Sequence, residues 1–283
     1  MSLAHPKQRF QDWLTQQWVI IRGRRIDSIE HAWLIGPFGN LEGIGEGFIH
    51  ELAQQEGLIV DRDPSSGLLS SIDQLNLAED QLSSEVIRFY ERTAEYDLQF
   101  RIKWNPFFRV FGVLLNRLFS RRLNQLNIPT RNIRNGEELR SEIITLKDAQ
   151  SNEVKHTIWF RAFRSTGQVV YSGVYGTCKL PSGQTCIKAV FPLPMGNATV
   201  IMIPNIGPDG ELILNSSGRK FGDAGFYFLI QDVKGRYWSR FVRSFKDELS
   251  VCKSKDQLSA KQKLSVWGWR VLTFQYDIRR RKE

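Results

Sequence analysis

Basic and aromatic side chains alternate in two stretches, TIWFRAFRS at 157–165 and GRYWSRFVRSFK at 235–246. In an extended chain, neighbours two apart share a face, so Trp159, Arg161 and Phe163 look one way and Trp238 and Arg240 form a similar pair. A guanidinium set among rings can grip the anionic head of an amphipathic molecule, or stack a base and hold its phosphate. Further large side chains recur at strand spacing: Tyr171 and Tyr175, Phe226 and Phe228, then Leu272, Phe274 and Tyr276. Ligand pockets are mostly apolar with a few placed polar groups. The expected lining is therefore Arg161, Tyr171, Tyr175, Phe226, Phe228, Arg240 and Phe274, with Arg161 and Arg240 facing an anionic head group. Solid core is the competing role for each of them.

Other chemistries leave weaker traces. His5, His31, His50 and His156 are scattered, without the spacing of a zinc site, so no metal is expected. No G-x-S-x-G elbow joins a nucleophile to a base, so no catalytic residue is assigned. Glu91, Glu95 and Asp97 cluster in FYERTAEYD, with Glu91 and Glu95 on one expected helix face. Asp223 lies beside Arg219 and Lys220 in a glycine-rich loop. An enzyme reading would rest on Asp223 or Glu95. GPFGNLEGIGEGF is dense in glycine and opens a helix, but its spacing is neither a dinucleotide fingerprint nor a P-loop, and no cofactor is expected. Lys234–Phe241 opens like an RNA-recognition signature and departs from it at the third to sixth positions; nucleic acid is not the expected partner.

Charge is unevenly spread. The net +9 divides into an acidic 26–100, with fifteen negative side chains against three positive, and basic flanks on both sides. Such asymmetry points to an anionic partner or to docking of one part of the chain on the other. Three cysteines are too few and odd in number for a secreted disulfide framework. The N-terminus has no continuous apolar signal region. A cytoplasmic protein with reduced thiols is expected, peripheral to the membrane if its basic segments bind anionic lipid.

The elements that must position these residues follow from periodicity. EGFIHELAQQEGL puts Phe48, Ile49, Leu52 and Ala53 on one helical face and stops at Gly57. SSEVIRFYERTAEY does the same with Val86, Phe89, Tyr90 and Thr93. YDLQFRIKW alternates as a half-buried strand. WNPFFRVFGVLLNRLFSRRL then reads as an amphipathic helix over 106–126, its apolar part too short to span a membrane. Arg117, Arg121 and Arg122 on it, with the cluster 279–282, are the candidate membrane-surface contacts.

From Glu142 the grammar is strands and tight turns. Hairpins are expected across AQSNEVK, Pro181–Gly183, Pro208–Gly210 and Lys234-Gly235, the last joining the strands AGFYFLIQDV and RYWSRFVRSF, and LSVWGWRVLTFQYDIRRR is read as one long final run. Cys178 and Cys186 face each other only if their loop holds an odd number of residues. The expected fold is α+β: a mainly helical, acidic region over 1–95, then a strongly curved antiparallel sheet or barrel of about eight to ten strands over 96–283, packed on the 106–126 helix.

Three stretches together, GPFGNLEGIGEGF, FYERTAEYDLQF with the following NPFFRVFGVLLNRLFSRRLNQLNIP, and FPLPMGNATVIM with SGRKFGDAGFYF, resemble uncharacterised bacterial proteins of the domain-of-unknown-function kind. That resemblance implies no activity and no site residue. The layout is more loosely similar to lipocalin-like and START-like ligand-binding folds. The function expected first is non-catalytic binding of a hydrophobic or lipid-like small molecule in a sheet cavity. Membrane-surface binding, an enzyme on a small apolar substrate and RNA binding follow as alternatives.

Overall fold

The structure is a computed structural model that describes residues 4–5, 10–39, 46–109, 132–254 and 257–281. Most of the expected helix 106–126, including Arg117, Arg121 and Arg122, lies outside the described residues, as do Gly43 and Gly45. Its first turn is described. There the Asn105 side chain accepts from the Phe107 amide at 3.1 Å, just ahead of the fixed φ of Pro106.

The strand YDLQFRIKW forms as its alternation requires. β3 (Tyr96–Trp104) buries Tyr96, Leu98, Phe100, Ile102 and Trp104 on one face. β4 (Ile133–Asp148), β5 (Val154–Phe163), β6 (Val169–Lys179), β7 (Thr185–Leu193), β8 (Gly196–Ile206) and β9 (Leu212–Asn215) follow as an antiparallel meander. After two further strands, β10 (Gly225–Gln231) and β11 (Tyr237–Phe241), come β12 (Phe245–Ser254), β13 (Gln257–Val266) and β14 (Trp269–Arg280). β14 pairs with β3, and β9 pairs with both β12 and β8, so ten strands close into a ring. Closure removes the open edges that a sheet of this length would otherwise present.

β8 is where the wall divides. Its first half, Gly196–Ile201, pairs with β10, while Ile203–Ile206 pairs with β9. The β10–β11 hairpin therefore peels off the barrel, and β1 (Arg24–Ile26) extends it. Two sequence expectations are corrected here. RYWSRFVRSF is not one strand: it turns between Phe241 and Phe245. The final run is a hairpin, because Trp267 and Gly268 have φ of 50° and 81°. Two successive left-handed residues are what a tight two-residue hairpin turn demands. Elsewhere turn chemistry matches the register. The loop Pro181–Gly183 is odd, and Cys178 pairs opposite Cys186 as free thiols. Burial pushes them up to about 11 and about 12, the inert end of cysteine behaviour.

The chain before β3 covers the barrel from outside and from one end. α2 (Gly47–Glu56) lays Phe48, Ile49, Leu52 and Ala53 on the outer side chains Ile144, Leu146, Ile158 and Phe160. It ends at Gly57, left-handed at φ 66°. β2 (Leu58–Asp61) then pairs with the end of β4. Next, Leu68, Leu69, Ile72 and Leu75, with Val86, Phe89 and Tyr90 of α3 (Ser84–Glu91), enter the same core as Leu98, Trp159 and Ile187 inside the barrel. This plug is fastened by the Ser83 amide donating to the Gly210 carbonyl in the β8–β9 turn, 2.9 Å.

α3 is shorter than its periodicity suggests. It stops at Glu91, where Thr93 Oγ1 donates to the Phe89 carbonyl at 2.6 Å and accepts from the Leu68 amide. Glu91 and Glu95 consequently do not share a helix face. Glu91 accepts from the Ile72 amide, and Glu95 pairs with Arg88 and Arg280. Acidic and basic regions do meet: Asp61 with Lys147, Glu85 with Lys253, and Asp97 with Arg164 and Arg281. These pairs are partly exposed, so each is worth about 1 kcal/mol or less. They fix how the plug sits more than how stable it is.

Candidate functional site

Alternation inside a closed ring sends every second side chain to the interior. Trp159 and Arg161 of β5, Tyr171 and Tyr175 of β6, Asp247 of β12, Gln262 of β13 and Tyr276 of β14 converge there, under the plug residues Leu69 and Tyr90. They line a cavity of about 80 Å³ whose remaining wall is mostly apolar. Gly173 shapes it. A Cβ at this position would stand 3.0 Å from the rings of both Phe191 and Tyr175, so the missing side chain is what lets those rings lie across the wall.

Arg161 is the dominant charge. Its residue is 6% exposed. Its guanidinium lies between two rings, 4.0 Å from the Trp159 centroid and 4.5 Å from that of Tyr171. One Nη donates to the Tyr175 hydroxyl at 3.2 Å, Trp159 Nε1 is held by Ser141 Oγ at 2.9 Å, and Arg161 Nε finds no partner among the described residues. Among the described residues Arg161 bonds a hydroxyl rather than a carboxylate. A cation this deep without a direct ion-pair partner is costly, so it marks a place where an anion gains.

Asp247 faces the same cavity and is 5% exposed. Burial pushes its carboxyl up to about 7, against a 2.7 Å hydrogen bond from Gln262 Nε2 that favours the charged form. Its second oxygen has no hydrogen-bond partner among the described residues. Burial holds Tyr276 up to about 12 and raises Tyr171 and Tyr175 too, with Arg161 opposing the shift in all three. Among the described residues the cavity thus presents one cation, Arg161, several neutral hydroxyl donors and a carboxyl that titrates near neutrality.

Of the residues singled out in the sequence, Arg161, Tyr171 and Tyr175 come together in this cavity. Phe274 lies one layer away, fully buried and 6.3 Å from the Tyr171 ring. Phe226 and Phe228 are on β10, off the ring, packed on Phe245 at 4.7 Å and on Trp18 at 5.7 Å. Arg240 is on β11, where it donates to the Arg22 carbonyl and lies over Trp18, outside the barrel. Neither Asp223 nor Glu95 lines the cavity: Asp223 accepts from the amides of Arg219 and Lys220. Asp247 is absent from the sequence expectation because a single strand over RYWSRFVRSF ends before it. The signal was present, since Asp247, Leu249 and Val251 alternate. Among the described residues no three His, Cys, Asp or Glu side chains gather into a metal-binding group.

No protein-family model matches the chain, and no solved structure does. No described helix is long and apolar enough to cross a membrane. Over 242 residues the chain is 24% identical to the uncharacterized membrane protein YndJ of Bacillus subtilis, a match that takes in 83% of this chain and 41% of that protein. The chain therefore spans about two fifths of the length of that relative and is similar to an uncharacterised bacterial protein, while its own structure is a closed antiparallel barrel with a helical N-terminal part.

Proposed function

We propose that the chain is a non-catalytic binding protein whose barrel takes a small amphipathic anion, of the short-chain carboxylate class. The observation that carries this reading is Arg161: a buried cation without a described carboxylate partner, aimed into an apolar cavity. The carboxylate would lie on the guanidinium and accept from the neutral Tyr175 and Tyr276 hydroxyls, as charge-assisted bonds favour. Its hydrocarbon part would lie against Leu69, Ile187 and Met202. Size limits the ligand. A cavity of about 80 Å³ is roughly half the ~150 Å³ that takes up benzene, so a short chain fits and a long acyl chain requires the plug to move.

Thermal melting and titration calorimetry with propionate, butyrate and hexanoate, on the wild-type chain and on Arg161→Met, test this. Wild type is expected to gain stability as ligand rises, about 2.7 kcal/mol at a hundredfold excess over Kd. The variant should fold at least as stably, since an apolar side chain of similar length replaces an unpaired charge, yet gain nothing from ligand. Equal gains in both proteins, or none in wild type across the series, would remove the proposal.

A further inference from the structure

α1 (Phe10–Arg22) is docked the wrong way round for a surface helix. Its buried positions include Asp12 and Gln16 beside Val19, and Gln16 Nε2 donates to the Pro194 carbonyl at 3.3 Å. Its outer face carries Phe10, Leu14, Trp18 and Ile21, a stripe at helical spacing, with Phe10 and Ile21 70% and 71% exposed. Rolling the helix to bury that stripe would expel the hydrogen-bonded polar face. The apolar side is therefore fixed outward.

The stripe does not stand alone. Trp18 lines an open groove with Val242 and with Trp267 at the tip of the β13–β14 turn, and Arg240, Arg243 and Lys246 complete its walls. Trp267 is 76% exposed, and Trp269 beside it is also exposed. An adjoining groove runs past Arg22, Arg24 and Arg243, and among the described residues no acidic side chain lines either one. Soluble surfaces rarely leave a cluster of large aromatic side chains uncovered, and the charged side chains that line these two grooves among the described residues are all cationic.

We infer that the outer face of α1 and the β13–β14 turn together form a docking surface for a membrane rich in anionic lipid. Tryptophans at a rim sit at headgroup level, and a helix with an apolar stripe beside arginine lies in the interface plane. The cations meet lipid phosphates, which supplies charge complementarity. A second copy is disfavoured, because a two-fold contact would bring this cationic surface against itself. Nucleic acid would match the arginines but leave Leu14 and Ile21 facing water.

Flotation of the full chain with vesicles of phosphatidylcholine alone, or of equal parts phosphatidylcholine and phosphatidylglycerol, decides the matter. Binding is expected only with phosphatidylglycerol and should weaken as salt rises. Arg243→Gln with Lys246→Gln should lower partitioning about thirtyfold, at about fivefold per charge near an anionic surface. Trp267→Ser with Trp269→Ser should also lower it, and because all four positions lie on the surface, melting temperatures should not change. The inference is overturned by no flotation with phosphatidylglycerol, by undiminished flotation of both double variants, or, without lipid, by a dimer in sedimentation velocity that Leu14→Gln with Ile21→Gln abolishes. Preferential retention of an RNA oligomer over anionic vesicles would overturn it as well.

Discussion

Asp247→Asn should change how stability depends on pH more than it changes the fold. The carboxyl is buried beneath Leu249 and Val251 on the inner face of β12, and its pKa rises from the ordinary 3.8 to about 7 because burial disfavours its charge. The folded state therefore holds a proton that the unfolded chain has already released. Stability from this group is fully present below about pH 4 and is lost as pH rises to about 7. An interval of about 3 pH units corresponds to about 4 kcal/mol, with no allowance for solvent because the group is buried. Asparagine keeps the shape and can still accept from Gln262, but it does not ionise. Urea denaturation of both proteins at half-unit steps between those limits reads the difference. Asp247→Asn is expected to match wild type in acid and to exceed it by about 4 kcal/mol above pH 7, the gap opening steadily between. Parallel curves would mean that water reaches the carboxyl. The barrel interior would then not be the dry, enclosed site that the proposed ligand binding requires.

Two other substitutions probe how the barrel is closed and extended. Gly67→Ala places a Cβ 2.3–2.4 Å from backbone atoms of Tyr90 and Glu91, so the plug must shift; a loss of about 1–3 kcal/mol is expected in thermal or urea unfolding, and an unchanged midpoint would show that the plug yields freely. Asp232, between β10 and β11, is buried but held down to about 2 by bonds from Trp238 Nε1, Arg236 and the Lys234 amide. Its contribution is present above pH 4 and is lost as pH falls toward 2. Asp232→Asn should lose about 2 kcal/mol at neutral pH and flatten that acid limb, and an acid limb like that of wild type would locate the shift elsewhere.

Local physics made much of this protein legible from its sequence. Period-two alternation fixed β3, and turn residues fixed the hairpins at Pro181–Gly183 and Pro208–Gly210, because both signals act within a few residues. The same alternation placed Arg161, Tyr171 and Tyr175 on strand faces that turned out to be inner ones. Where the signal is local but ambiguous, it misled: Trp267-Gly268 looks like the middle of an apolar run until its two left-handed residues are seen. What the tertiary structure alone decided are the non-local pairings. β14 closing on β3 and β8 dividing between β9 and β10 determine which strand faces become interior, so Arg161 meets Asp247 and Tyr276 in one cavity while Arg240 lies outside it. Helical spacing likewise tells which residues of α1 share a face, and cannot tell which face is docked. That choice is made by distant partners such as the Pro194 carbonyl, and contacts separated by well over a hundred residues leave no period in the sequence.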